Sequence, residues 1–111
     1  MKKLFKCSVC GFTHEGENPM EKCPKCGAPQ EKFVELNAED TDKIYKSERT
    51  NDIHMEIISL SAKIVQLARE GIALKLDPAC VSILEQAKNE SYVIKQRLKA
   101  EIEGHMKKGK W

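Results

Sequence analysis

The sequence predicts two unlike parts: a small metal-bound β-knuckle domain, then an α-helical hairpin that dimerises as a four-helix bundle. Three observations predict it. Two Cys-x-x-Cys-Gly repeats, Cys7 to Gly11 and Cys23 to Gly27, lie close together near the start. Apolar residues recur at three- and four-residue intervals from Ile53 onward, the period of a helix face. Asp77-Pro78 interrupts that pattern with an N-cap residue followed by proline at the first helical position, so the pattern divides into two helices.

The front part, residues 1–36, is built on its cysteines. Two residues between paired cysteines let the chain turn back, so both sulfurs of a repeat reach one ion. The glycine after each pair accepts positive φ at no steric cost. Cys7, Cys10, Cys23 and Cys26 therefore read as the four ligands of a tetrahedral site for iron or zinc. Two disulfides are the poorer reading, because the spacing is that of metal ligands. Leu4 to Cys7 should form a strand entering the first repeat, and Phe12 to His14 the returning strand of a hairpin. Glu15 to Pro19 carries turn residues and reads as a loop. Phe5, Phe12 and Phe33, half of the six aromatic residues, flank the ligands and should wrap them in apolar surface. So short a segment cannot build a self-sufficient core, and a bound metal should supply about 10 kcal/mol or more of its folding free energy.

Lys6 to Gly16 and Glu21 to Pro29, together with Phe33, resemble the rubredoxin-type domain found at the C-terminal end of rubrerythrins. The twelve residues between Cys10 and Cys23 also fit that domain, and so do Phe12, His14-Glu15-Gly16 and Pro29. The resemblance covers about a third of the chain. It implies one iron held by Cys7, Cys10, Cys23 and Cys26, cycling between ferrous and ferric states to pass single electrons. Zinc ribbons share Cys-Pro-x-Cys-Gly, so zinc stays open as the alternative. His14 is expected to be a surface or hydrogen-bonding residue, since four sulfurs already fill the shell.

Behind the knuckle, Asn37 to Asp42 is polar and acidic, with no apolar period. It reads as a linker or a weak first helix through Lys46, with a helix start or a break among Ser47 to Asp52. Residues 53–111 form the hairpin. Ile53, Ile57, Leu60, Ile64 and Leu67 should be the core stripe of the first helix, widened by Ile58, Val65 and Ala68. Gly71 falls where a C-terminal cap is expected. The second helix should run from Pro78 to about Met106. Cys80, Leu84, Ala87, Ile94, Leu98 and Ile102 are expected inside, with Glu85, Lys88, Lys95 and Lys99 outside. One hairpin cannot bury both stripes, hence the expected homodimer.

Several chemistries are excluded or set aside. The chain has 19 basic and 17 acidic side chains, so no global electrostatic footprint for nucleic acid appears. Only residues 104–111, with three lysines, are clearly basic, and they read as a frayed helix end. No window reaches the 18 or so apolar residues of a membrane span, and Met1 to Lys6 lacks the apolar run of a signal peptide. A soluble cytoplasmic protein is expected. No glutamate stands three residues before a histidine, so the di-iron site of the rubrerythrin helical bundle is absent and its peroxidase activity is not implied. His54 and His105 should lie about 15 Å apart along the hairpin, counting back from Gly71 at about 1.5 Å per residue. Cys80, the fifth cysteine, reads as a small core residue. No phosphate-binding loop or paired nucleophile and base is present. An electron carrier without enzymatic activity is therefore expected, served by a redox partner protein. A structural zinc-ribbon adaptor is the alternative, and a redox or oxygen sensor the third reading.

Overall fold

The computed structural model describes residues 2–111. It divides into two compact units, residues 1–45 and 46–111. In the first unit, β1 (Lys3–Cys7), β2 (Thr13–Gly16) and β3 (Phe33–Glu35) form an antiparallel sheet in the order β2-β1-β3. β1 is central, paired on both edges, and Leu4, Phe5 and Cys7 along it are buried. Phe5 pairs with His14 on one side and Glu35 on the other, and Cys7 pairs with Phe33. The expected hairpin is present, and β2 continues two residues beyond it, through Glu15 and Gly16. β3 was not foreseen. It follows a short 3-10 turn, Gln30–Lys32, and places Phe33 on the core.

The core of this unit is Phe5, Cys7, Cys23, Ala28 and Phe33, with Phe12 and Met20 packed against it. The three phenylalanines do wrap the cysteines. His14 stacks on Phe5 with ring centroids 6.5 Å apart. The unit ends on helix. Asn37 Oδ1 accepts from the Asp40 amide at 2.8 Å and starts α1 (Ala38–Ala73). Thr41, buried, donates its hydroxyl to the Leu36 carbonyl, and the Tyr45 hydroxyl bonds the Lys2 carbonyl and the Glu15 carboxylate.

α1 is continuous for 36 residues, so the break expected between Ser47 and Asp52 does not occur. The reason lies at the far end of the chain. Asn51 is buried, where a polar residue costs free energy unless bonded. It donates Nδ2 to the Lys110 carbonyl at 2.7 Å, and its Oδ1 lies 2.5 Å from His105 Nδ1. A carbonyl can only accept, so the amide orientation is fixed and Nδ1 of His105 must carry the proton. These bonds also pin the C-terminal tail, which is folded against the hairpin rather than frayed.

α2 (Pro78–Lys107) begins as the sequence indicates: Asp77 Oδ1 caps the Cys80 amide at 2.8 Å. Gly71 is not the end of α1. The helix runs on to Ala73, and the positive φ falls on Lys75 instead. Gly71 marks a close approach instead: a Cβ there would lie 2.6 Å from Leu84 Cδ1, which would have to move aside. This contact sets the register of the hairpin. With residue 71 level with 84, position 54 comes level with 101, one turn from 105. His54 and His105 are therefore adjacent, with ring centroids 5.7 Å apart, not separated by three turns.

The seam between the helices also differs from expectation. On α1 it runs through Asn51, His54, Ile58, Ser61, Val65 and Ala68, all buried or half-buried. On α2 it runs through Val81, Leu84, Lys88, Ser91, Lys95, Leu98 and Ile102. Both follow strict alternating steps of three and four. Small residues at Ser61, Ala68, Gly71 and Ser91 let the helices approach closely. Ile53, Ile57, Leu60, Ile64 and Leu67, expected in the core, are exposed, as is Ile94, while Lys88 and Lys95 lie half-buried. Cys80 is half-buried on the first turn of α2.

Candidate metal centre

The two cysteine repeats adopt one backbone pattern twice. The Gly11 amide bonds the Cys7 carbonyl at 2.9 Å, and the Gly27 amide bonds that of Cys23 at 2.9 Å. The Cys7 amide reaches Phe12 O at 2.8 Å, and the Cys23 amide reaches Ala28 O at 2.9 Å. Each turn closes with positive φ at its glycine, +83° at Gly11 and +78° at Gly27, where a Cβ would strain the chain. The aliphatic stems of Lys6 and Lys22 lie over Gly11 and Gly27 in equivalent places.

This duplication brings four sulfurs together. The Sγ atoms of Cys7, Cys10, Cys23 and Cys26 all lie within 4.8 Å of one another. Cys7 to Cys26 is 3.7 Å and Cys10 to Cys23 is 3.5 Å. A tetrahedral ion with metal–sulfur bonds of about 2.3 Å needs sulfur–sulfur edges of roughly 3.8 Å, so the residues present fit such an ion. All four sequence-predicted ligands are in place. Among the described residues this is the one group of three or more His, Cys, Asp or Glu side chains that converges so closely. The His54 and His105 pair is not joined by a third ligand within that distance.

The electrostatics favour thiolate. Amides of Cys10 and Val9 point at Cys7 Sγ, those of Cys26 and Lys25 at Cys23 Sγ, Phe12 at Cys10 Sγ, and Ala28 at Cys26 Sγ. The Cys10 amide holds the Cys7 thiol below the usual cysteine range against its burial. Burial pushes the Cys23 thiol up, but the Cys26 and Lys25 amides and the neighbouring thiols outweigh it, leaving it at about 6. For Cys26 the Ala28 amide favours the thiolate. Desolvation and the crowding of Cys10, Cys23 and Cys7 overcome that and push it up to about 12. Cys7 and Cys23 are buried, Cys10 is half-buried, and Cys26 is exposed. One corner of the tetrahedron therefore faces water.

With this geometry in hand, the sequence comparison has a structural meaning. Residues 5–34 match the rubredoxin-like domain of rubrerythrin. Over 37 residues the chain is 59% identical to reverse rubrerythrin-1 of Clostridium acetobutylicum, covering 33% of this chain and 20% of that protein. Over 33 residues it is 48% identical to a protein of Methanocaldococcus jannaschii named as a rubrerythrin, covering 30% of this chain and 16% of the other. The matched stretch thus spans a fifth or less of these relatives, and it is the knuckle. No solved structure matches the chain. Among the described residues no helix is long and apolar enough to cross a membrane.

Sequence reasoning missed the amide donors as individuals, though Cys-x-x-Cys-Gly spacing is the signal that carries them. It also missed the Asn51–His105 bond, for which no local signal exists.

Proposed function

We propose that the knuckle is a one-electron carrier, with a single iron held by Cys7, Cys10, Cys23 and Cys26, and that the hairpin serves docking. The observation that supports it best is the convergence of four cysteine sulfurs within 4.8 Å of one another, in the segment that matches the rubredoxin-like domain. Iron bound there supplies a ferrous–ferric couple. What the chain contributes is low reorganisation. The sulfurs are fixed by paired turns, their amide partners are already aimed, and Phe5, Phe12 and Phe33 limit water. Cys26 is the exposed sulfur and hence the natural point of exchange with a redox partner protein. The sequence holds no Glu-x-x-His pair of the kind a helical di-iron centre uses, so the reading is of a carrier rather than a peroxidase.

The test is an optical spectrum with metal analysis on protein produced under iron-sufficient anaerobic conditions. The oxidised protein should be coloured by sulfur-to-iron charge transfer, bleach on reduction and recover on reoxidation. Colourless protein holding zinc alone would sink this reading in favour of a structural zinc ribbon. A large conformational change on oxidation would favour a sensor.

A further inference from the structure

We infer that the exposed apolar face of the hairpin is covered by a second copy of this chain, with α1 packed antiparallel against its own twin. The inference deepens the docking role proposed above and rests on it, but not on which metal the knuckle holds.

The face follows from a one-residue offset. Ile53, Ile57, Leu60, Ile64 and Leu67 each stand one residue before a seam position: His54, Ile58, Ser61, Val65 and Ala68. One residue is about 100° around a helix. So α1 carries two apolar stripes about a right angle apart, one filled by α2 and one open. Leu60 and Leu67 are 57% and 52% exposed. A right angle is the relation between the two neighbours of a corner helix in a four-helix bundle. α2 repeats the offset: Ile83, Ala87 and Ile94 each precede a seam residue, with Glu90 between Ala87 and Ile94 and Arg97 one step beyond. Because α2 runs antiparallel to α1, the same offset on both helices lands on the same side of the hairpin. The opposite side is mixed: Ser59, Gln66 and Arg69 on α1 and Glu85, Gln96 and Lys99 on α2 are polar, but Met55, Ala62 and Tyr92 lie among them, and it carries no continuous apolar stripe.

Charge identifies the occupant. Flanking the open stripe of α1, on the edge away from α2, stand Arg49, Glu56, Lys63 and Glu70 at seven-residue intervals. All four are exposed. Their signs alternate. Antiparallel packing about an axis between Ile57 and Leu60 sets Ile57 beside Leu60 of the second copy, and Ile53 beside its Ile64. The same register brings Glu56 to Lys63 of the second copy and Arg49 to its Glu70. Twofold symmetry repeats each pair. The edge is complementary to itself when reversed, as an isologous interface requires. Parallel pairing would instead place the two copies of this charged edge on opposite sides of the interface, where they do not meet.

The experiment is sedimentation equilibrium on the full-length, metal-loaded chain from micromolar to submillimolar concentration. The wild type should associate to twice the chain mass. Leu60→Glu should raise Kd by about 100-fold or more, because it buries a charge in the interface. Its helical circular dichroism and metal spectrum show whether the fold persists. The decisive variants touch exposed residues only. Glu56→Lys and Lys63→Glu should each raise Kd roughly fivefold, and the combined exchange E56K/K63E should restore it. A chain that stays monomeric throughout overturns the inference, whether or not it binds another protein. So does a dimer indifferent to Leu60→Glu, or an exchange that fails to rescue. None of these results bears on the colour of the metal centre, so the two readings fail separately.

Discussion

Replacing Gly11 by alanine isolates how far backbone conformation, rather than sulfur, sets metal affinity. At φ +83° the added Cβ meets only the Lys6 Cε, 3.8 Å away, an ordinary contact. The cost is therefore conformational. An alanine forced into the left-handed region loses about 1–2 kcal/mol. Since the knuckle folds around its ion, that strain is expressed in binding. A loss of 1.4 kcal/mol is about tenfold. Gly11→Ala should thus weaken metal binding by about tenfold, and Gly27→Ala, at φ +78° with its nearest neighbour at 3.5 Å, by a similar factor. The double variant should lose about 100-fold, because the two strains are local to separate turns. Gly104→Ala is the internal control. Gly104 lies in α2 with nothing within 4 Å of the added carbon, so alanine there should leave affinity unchanged and stabilise the helix by about 1 kcal/mol. Competition with a coloured chelator measures all four. If Gly11→Ala binds as tightly as the wild type, the turns are not what presents the sulfurs.

Cys23→Ser should abolish tight metal binding and collapse the dispersed amide resonances of residues 2–36, while the hairpin keeps its helical circular dichroism. A knuckle that stays folded without its ion would refute the dependence. Metal affinity should rise with pH: Cys26, pushed up to about 12, is still a thiol at neutral pH and must shed its proton when the ion binds. Cys23, at about 6, adds a further proton to that exchange as the pH falls through its own range. Chelator competition from pH 5 to 9 should therefore give a positive slope that steepens on the acid side, and a flat profile would contradict it. Asn51→Ala leaves the Lys110 carbonyl and the His105 Nδ1 proton without partners. It should cost the hairpin about 2–3 kcal/mol in urea unfolding. A cost below about 0.5 kcal/mol would show that water replaces both bonds.

The metal site was legible because its signal is local. Seven-residue stretches spell out each turn, and each cysteine needs only its own amides and glycine. The helical part was legible in kind, not in facing. Periodicity showed that Ile53 to Leu67 is a helix stripe, but two stripes one residue apart compete for the interior. The bulkier one, taken for the core, is exposed. Ser61, Ala68 and Ser91 won the seam because small side chains permit close approach. The same closeness explains why Gly71 lies within α1 rather than after it. Asn51 looked like a cap because its true partners lie more than fifty residues away. For that reason the helix was expected to break where it does not, while the two histidines were expected far apart because Gly71 was read as the end of the helix. β3 is only three residues long, too short for alternation to show, and Phe33 alone hinted at it.

The bond from Tyr45 back to Lys2 and Glu15, with the Thr41 hydroxyl on Leu36, has a practical consequence for anyone excising the knuckle. A fragment cut at the edge of the recognisable motif, near residue 36, would discard both hydroxyls along with the helical turns that carry them. The smallest autonomous piece should instead finish after Tyr45, where the contact boundary falls. The opening turns of the long helix are in this sense part of the metal unit's scaffold, although nothing in their composition advertises it.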